Sequence, residues 1–156
     1  QGGAVKYNYD PQAQAFAIKR LLPDGLCFPL DFGFIPSTLG EDGDPLDILV
    51  INDHPAVVGA LVTVRLIGVI EGEQSEDGQT FRNDRLLGVA TVSRRFAGIA
   101  APADLGEAFL RNLTQFWVNY SALRGAAFKV LAVRDRAAAI ALVRGATRRL
   151  KATPAP

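Results

Sequence analysis

The chain has 156 residues, long enough to bury a core, and its 49% hydrophobic and 21% charged residues are ordinary globular composition. Seventeen basic against sixteen acidic residues leave a formal charge of +1, which gives no global argument for a nucleic-acid or membrane-surface partner. The lone Cys27 excludes an internal disulfide and fits a reducing, cytoplasmic compartment, and no apolar run approaches the ~20 residues of a membrane span.

Lys6-Tyr7-Asn8-Tyr9 alternates and stops at Asp10-Pro11, predicting a strand and turn, with Ala15 to Ile18 as its hairpin partner. Phe28 to Ile35 is aromatic but broken by Pro29 and Gly33, and reads as irregular, strand-like core. Leu46 to Asn52 predicts a short buried strand, and Leu61 to Glu71 a long one rich in β-branched residues. Gly72 to Asn83 is polar and reads as a turn-rich loop. Arg85 to Val92 predicts another strand.

Helical spacing comes late. Leu105, Phe109, Leu113, Phe116, Tyr120 and Leu123 recur after Pro102, predicting a helix over about Ala103 to Leu123, closed by Gly125. Phe128 to Val133 predicts a final strand and Arg136 to Leu150 a second helix. Strands in succession followed by two helices indicate an α+β fold, with a small, strongly curved or closed β-barrel carrying the two C-terminal helices. Residues 1–150 read as one domain and 151–156 as a frayed tail. The chain opens on Gln1 rather than Met, read as loss of upstream residues, and shows no signal peptide.

The chemistry concentrates at Glu41-Asp42-Gly43-Asp44-Pro45-Leu46-Asp47, four carboxylates in seven residues with no basic residue interleaved. Such a run is either a solvated acidic turn or a site for a hard cation, because oxygen ligands without Cys or His suit Mg²⁺, Mn²⁺ or Ca²⁺. Pro45 stiffens the run, and Asp47 sits at the mouth of a strand, where side-chain direction is defined. A calcium-hand loop starting at Asp42 fails: the fifth, sixth and twelfth positions hold Leu46, Asp47 and Asp53 where an oxygen ligand, Gly and Glu are required. There is no Walker-type or zinc-ligand spacing. Other features could converge on the acidic run: Glu76 and Asp77, Asn83-Asp84-Arg85, the cations Lys6, Arg20, Arg82 and Arg85, and Tyr120. Carboxylates with cations and a tyrosine hydroxyl suit metal-assisted phosphoryl chemistry. Each also has a structural reading: strand-end charges as solvated surface, Tyr120 as a core residue, Asp84 as a turn residue, His54 as loop surface, Cys27 as core.

With these residues in view, the chain resembles the soluble inorganic pyrophosphatases of the OB-barrel type. Asp42 to Asp47 matches D-x-D-P-x-D before an apolar strand. Phe28-Pro29 through Ile35, Lys6-Tyr7, Arg20, Arg65 to Val69, and Phe116 to Tyr120 match further stretches, so the similarity spans about Lys6 to Val133. The resemblance implies Mg²⁺-dependent hydrolysis of pyrophosphate to two phosphates by a multi-metal mechanism with metal-bound water as nucleophile, with Mn²⁺ as a substitute ion. Carried over, Asp42 and Asp47 are metal ligands and Asp44 the proton acceptor. Lys6, Arg20, Tyr120 and Arg85 are phosphate-binding groups, with Asp77 and Asp84 as further metal ligands. It also implies a homo-oligomer, with neither nucleic acid nor membrane as partner.

The departures are Asn8 for a Glu, Phe32 for a Tyr, Ser121 for a Lys, and Asn83 where a carboxylate is expected two residues before a basic residue. Successive strand residues face opposite ways, so Asp84 serves in place of Asn83 only if a one-residue shift or bulge turns it inward. The departures keep open a second reading, a catalytically weak or silent phosphate- or metal-binding protein on the same fold. The family's upstream Glu falls before Gln1.

Overall fold

A computed structural model describes residues 1–152. The elements run β1 (Val5–Asp10), β2 (Ala15–Leu21), β3 (Asp31–Phe34), β4 (Asp47–Ile51), β5 (Val64–Glu76), β6 (Gln79–Arg82) and β7 (Arg85–Ala90), then a 3-10 turn (Pro102–Leu105), α1 (Glu107–Ala122), β8 (Ala127–Asp135) and α2 (Arg136–Ala152). The fold is α+β. Lys151 and Ala152 continue α2, and the rest of the expected tail, 153–156, lies outside the described residues.

The strands form a two-stranded β1–β2 hairpin and a larger sheet ordered β3-β4-β7-β5-β6, with β8 added to β5. Among the described residues these pairings leave the larger sheet open, so hydrogen bonding does not close it into a barrel. Its central pair, β4 and β7, is parallel, and the others are antiparallel.

The apolar run Ile48 to Ile51 is continuous because β4 is covered on both faces. Leu49 and Ile51 join Ile67, Leu87, Val89 and Trp117 on one side, and Ile48 and Val50 join Val69, Leu86, Ala139 and Ala146 on the other. Thus α1 presents Leu113, Trp117 and Tyr120 to the first core, at spacings of four and three residues. The Ala-rich face of α2 lets that helix lie close on the second.

Three expectations are corrected. The long helix is divided: Gly106, at φ 82°, separates the 3-10 turn from α1, so Leu105 belongs to the turn. The polar stretch expected to be loop is the end of β5, a turn and β6. Its Glu, Gln and Ser residues have weak strand propensity, but β6 and β8 flank this part of β5 and supply hydrogen bonds on both sides. Gly72 makes this packing possible, since a Cβ there would lie 2.3 Å from the Phe128 ring. Finally, Cys27 is exposed rather than core.

Candidate active site

The acidic loop is built by its own backbone. Asp42 Oδ1 accepts from Asp44 N at 3.1 Å, and Gly40 N donates to Asp44 O at 2.7 Å. Gly43 turns the chain at φ 84°, a conformation that disfavours a side chain. Buried Thr38 fastens the far end: its hydroxyl donates to Ile35 O at 2.6 Å and accepts from Leu46 N at 3.0 Å. Asp47 therefore enters β4 in a defined direction, with Ile48 onward held in the core.

Partial loss of water, reinforced by the charges of Asp44 and Asp47, raises the Asp42 carboxyl above its ordinary range, despite a hydrogen bond from Asp44 that opposes the rise. The three carboxylates line one broad cleft. Lys6 and Arg20, register partners in the β1–β2 hairpin, line it as well. Lys6 Nζ lies 5.1 Å from the Phe32 ring centroid. Burial lowers its pKa to about 8, with Asp47 pulling upward and Arg85, Lys19 and Arg20 pushing further down.

Arg85 forms the cleft's inner wall. It is 4% exposed, and its Nη1 is 2.7 Å from Asp47 Oδ2. The guanidinium carbon lies 4.8 Å from the Trp117 ring centroid and 5.6 Å from that of Phe128. Its Nε is buried without a hydrogen-bond partner among the described residues. Tyr120 also lines the cleft; its hydroxyl is likewise buried without a partner among the described residues, and its ring stacks on Phe116 at 5.9 Å. Leaving such donors unpaired costs about 1–3 kcal/mol each, a cost that a cleft-bound anion would offset.

The structure thus gathers Asp42, Asp44, Asp47, Lys6, Arg20, Arg85 and Tyr120. It leaves Asp77 apart from them, and Asp84 does not line this cleft but shares a smaller pocket with Asp42, Asp47 and Asn83. Asp77 is exposed in the β5–β6 turn at φ 53° and outside the cleft lining. The Asp84 carboxylate accepts from Gly72 N at 2.9 Å and from Arg82 Nη2 at 2.8 Å. No register shift occurs in the β4–β7 ladder at Asp47 and Arg85, so Asn83 faces the cleft and Asp84 does not.

Sequence reasoning missed Gln74 and Arg124 and did not assign Glu76 a role; all three line the cleft. Alternation along β5 puts Gln74 and Glu76 on one face, but a stretch read as loop carries no such alternation. Arg124 Nη2 donates to Glu76 Oε1 at 3.0 Å, a contact between residues 48 apart.

A family model for inorganic pyrophosphatase matches residues 1–151. The chain belongs to the inorganic pyrophosphatase family. An inorganic pyrophosphatase of Thermus thermophilus is 38% identical over 154 residues, covering 97% of this chain and 86% of that relative. One from Synechocystis is 34% identical over 142 residues, covering 91% and 82%. The crystal structure of a Thermus thermophilus inorganic pyrophosphatase superposes with a TM-score of 0.88 at 37% identity, covering 96% of this chain and 86% of that one. That of Helicobacter pylori gives 0.89 at 26% identity, covering 96% and 88%. Pyrophosphatases of this family work with a divalent metal ion, and the oxygen-only donors Asp42, Asp44 and Asp47 have the chemistry to hold one. No helix among the described residues is long and apolar enough to cross a membrane.

Proposed function

We propose that this chain hydrolyses inorganic pyrophosphate to two phosphates with Mg²⁺, using the cleft between the acidic loop and the β1–β2 hairpin. The observation that carries the reading is the juxtaposition of Asp42, Asp44 and Asp47 with Lys6, Arg20 and Arg85 in one cleft, with the unpartnered Tyr120 hydroxyl beside them. Acidic and basic groups facing one another across a cavity suit an anion that arrives with its own cation.

On this reading Asp42 and Asp47 hold the ion. A bound divalent ion supplies positive charge to phosphate oxygens and makes an attacking water more acidic. Asp44 accepts the proton of that water. Lys6 and Arg20 hold the pyrophosphate oxygens from the hairpin side, and Tyr120 donates from the helix. Arg85 faces the leaving phosphate and stabilises the charge that develops on it. Among the described residues no three metal-capable side chains are grouped closely enough to enclose an ion. Mn²⁺, as a similar hard cation, is expected to substitute.

The alternative, a catalytically weak or silent phosphate- or metal-binding protein on the same fold, rests on the departures at Asn8, Phe32 and Ser121. Phosphate release from pyrophosphate, with and without Mg²⁺ and with Asp44→Asn as control, separates the two. Mg²⁺-dependent release that is lost in the variant supports hydrolysis. No release from the folded wild-type protein overturns it. The family's homo-oligomeric assembly, a single-domain organisation and a cytoplasmic location are part of the same proposal.

A further inference from the structure

Five side chains form an unbroken polar chain along the cleft wall. Arg124 Nη2 donates to Glu76 Oε1 at 3.0 Å. Gln74 Nε2 donates to Glu76 Oε2 at 2.6 Å, and Asn83 Nδ2 donates to Gln74 Oε1 at 2.8 Å. Arg85 Nη1 donates to Asn83 Oδ1 while it also meets Asp47. Gln74 is 8% exposed and Arg85 4%, so these bonds cannot be exchanged freely for water.

The chain has one permitted direction. An ionised carboxylate only accepts and a guanidinium only donates. Glu76 therefore turns the Gln74 amide so that its nitrogen points outward and its oxygen inward. That oxygen in turn requires the nitrogen of Asn83, which leaves the Asn83 oxygen for Arg85. Both amide orientations follow from the two ends of the chain, so neither is ambiguous. A carboxylate at position 83 would still accept from Arg85, but it would oppose the Gln74 oxygen. Rotating Gln74 would relieve that clash only by setting its oxygen against Glu76.

We infer that Gln74 and Asn83 are positioning residues, whose two amides form a one-way relay from Glu76 that holds the Arg85 guanidinium against Asp47. They act on the reaction through Arg85 rather than on the substrate. The inference rests on the hydrolytic reading of the cleft for its consequence, but not for its geometry. It also gives the amide at position 83 a use that a carboxylate could not serve.

The test is a charge-conserving double-variant cycle. Asn83→Asp alone breaks the relay, and Glu76→Gln alone takes the carboxylate from Arg124. Together they restore an unbroken chain with its direction reversed: the amide introduced at position 76 donates to Gln74, and Gln74 donates to the carboxylate introduced at position 83. Three quantities are measured in all four proteins: kcat for pyrophosphate, Tm, and the NMR signal of the Arg85 Nε–H, assigned by its loss in Arg85→Lys. A held guanidinium gives a resolved, slowly exchanging signal.

The expected result is a roughly tenfold loss of kcat and loss of the arginine signal in Asn83→Asp, with recovery of both in the double variant to within about threefold of wild type. Asn83→Asp as active as wild type overturns the inference, as does a double variant no better than its worse parent. Recovery of Tm without recovery of kcat assigns the network to stability alone and also overturns it. A wild-type protein that folds but releases no phosphate overturns the hydrolytic reading, and with it the positioning role; the arginine signal across the cycle then decides whether the relay itself exists.

Discussion

Asp47 and Arg85 are register partners in the parallel β4–β7 pair, and their side chains meet at 2.7 Å. The strand ladder thus sets a metal-capable carboxylate directly against the most buried cation of the cleft. A buried ion pair is a weak guarantee of stability, but removing one partner strands the other charge. Arg85→Ala is expected to lower unfolding free energy by about 3 kcal/mol, read by urea denaturation, while Arg85→Met loses less because it refills the space beside Trp117. Equal losses in the two variants would show that the stranded Asp47 charge, not the packing beside Trp117, dominates.

Tyr120 makes the opposite prediction for stability. Its hydroxyl is buried and has no partner among the described residues, so Tyr120→Phe removes a cost rather than a bond. Tm should stay level or rise, while KM for pyrophosphate should increase several-fold with kcat less affected. A fall in Tm would mean that the hydroxyl is satisfied in solution.

Burial, reinforced by the neighbouring Asp44 and Asp47, disfavours the charged form of Asp42. The Asp42 carboxyl is raised above its ordinary range, so the folded state holds its proton more tightly than the unfolded chain does. Its contribution to stability is therefore favourable at acid pH and lost as pH rises from the unfolded value of 3.8 through the raised one. Asp42→Asn should raise Tm at pH 7 without metal. Millimolar Mg²⁺ should raise the wild-type Tm and shift the variant much less. Equal shifts in both proteins would remove Asp42 from the metal site.

Lys6 titrates in the opposite sense. Its folded pKa of about 8 lies below the ordinary 10.5, so between these values the unfolded chain holds more protons. Stability from this group rises with pH across that window, and below it the buried charge is a standing penalty on the order of 2–3 kcal/mol. Lys6→Met should raise Tm at pH 7 by roughly 5 °C and weaken substrate binding. In the wild type KM should climb as pH passes about 8, and Lys6→Arg should hold KM flat to higher pH. A KM profile unchanged by Lys6→Arg would exclude this titration.

For turnover, Asp44 is the decisive position. Asp44→Asn keeps the side-chain shape but cannot accept the proton of the attacking water, so kcat should fall by about 10²–10⁴-fold with little change in KM. Comparable losses in kcat and in affinity would place Asp44 among the binding groups instead.

Local chemistry was legible in the residues alone. The order of charges from Asp42 to Asp47, the apolar run after them and the spacing of Leu113, Phe116 and Tyr120 determine an acidic loop, a buried strand and a helix, because each is decided by neighbours a few positions away. The tertiary structure decided which side chains share the cleft. Asn83 faces it and Asp84 does not because β7 takes its register from β4, not from its own sequence. The Gln74–Glu76 wall exists because β6 and β8 flank a stretch whose own propensity is for loop. Asp77 drops out because the turn at its position points into solvent. Strand pairing is non-local, and a shift of one residue reverses every side chain, so the loop's chemistry was written in the chain and the opposite wall of the cleft was set by the fold.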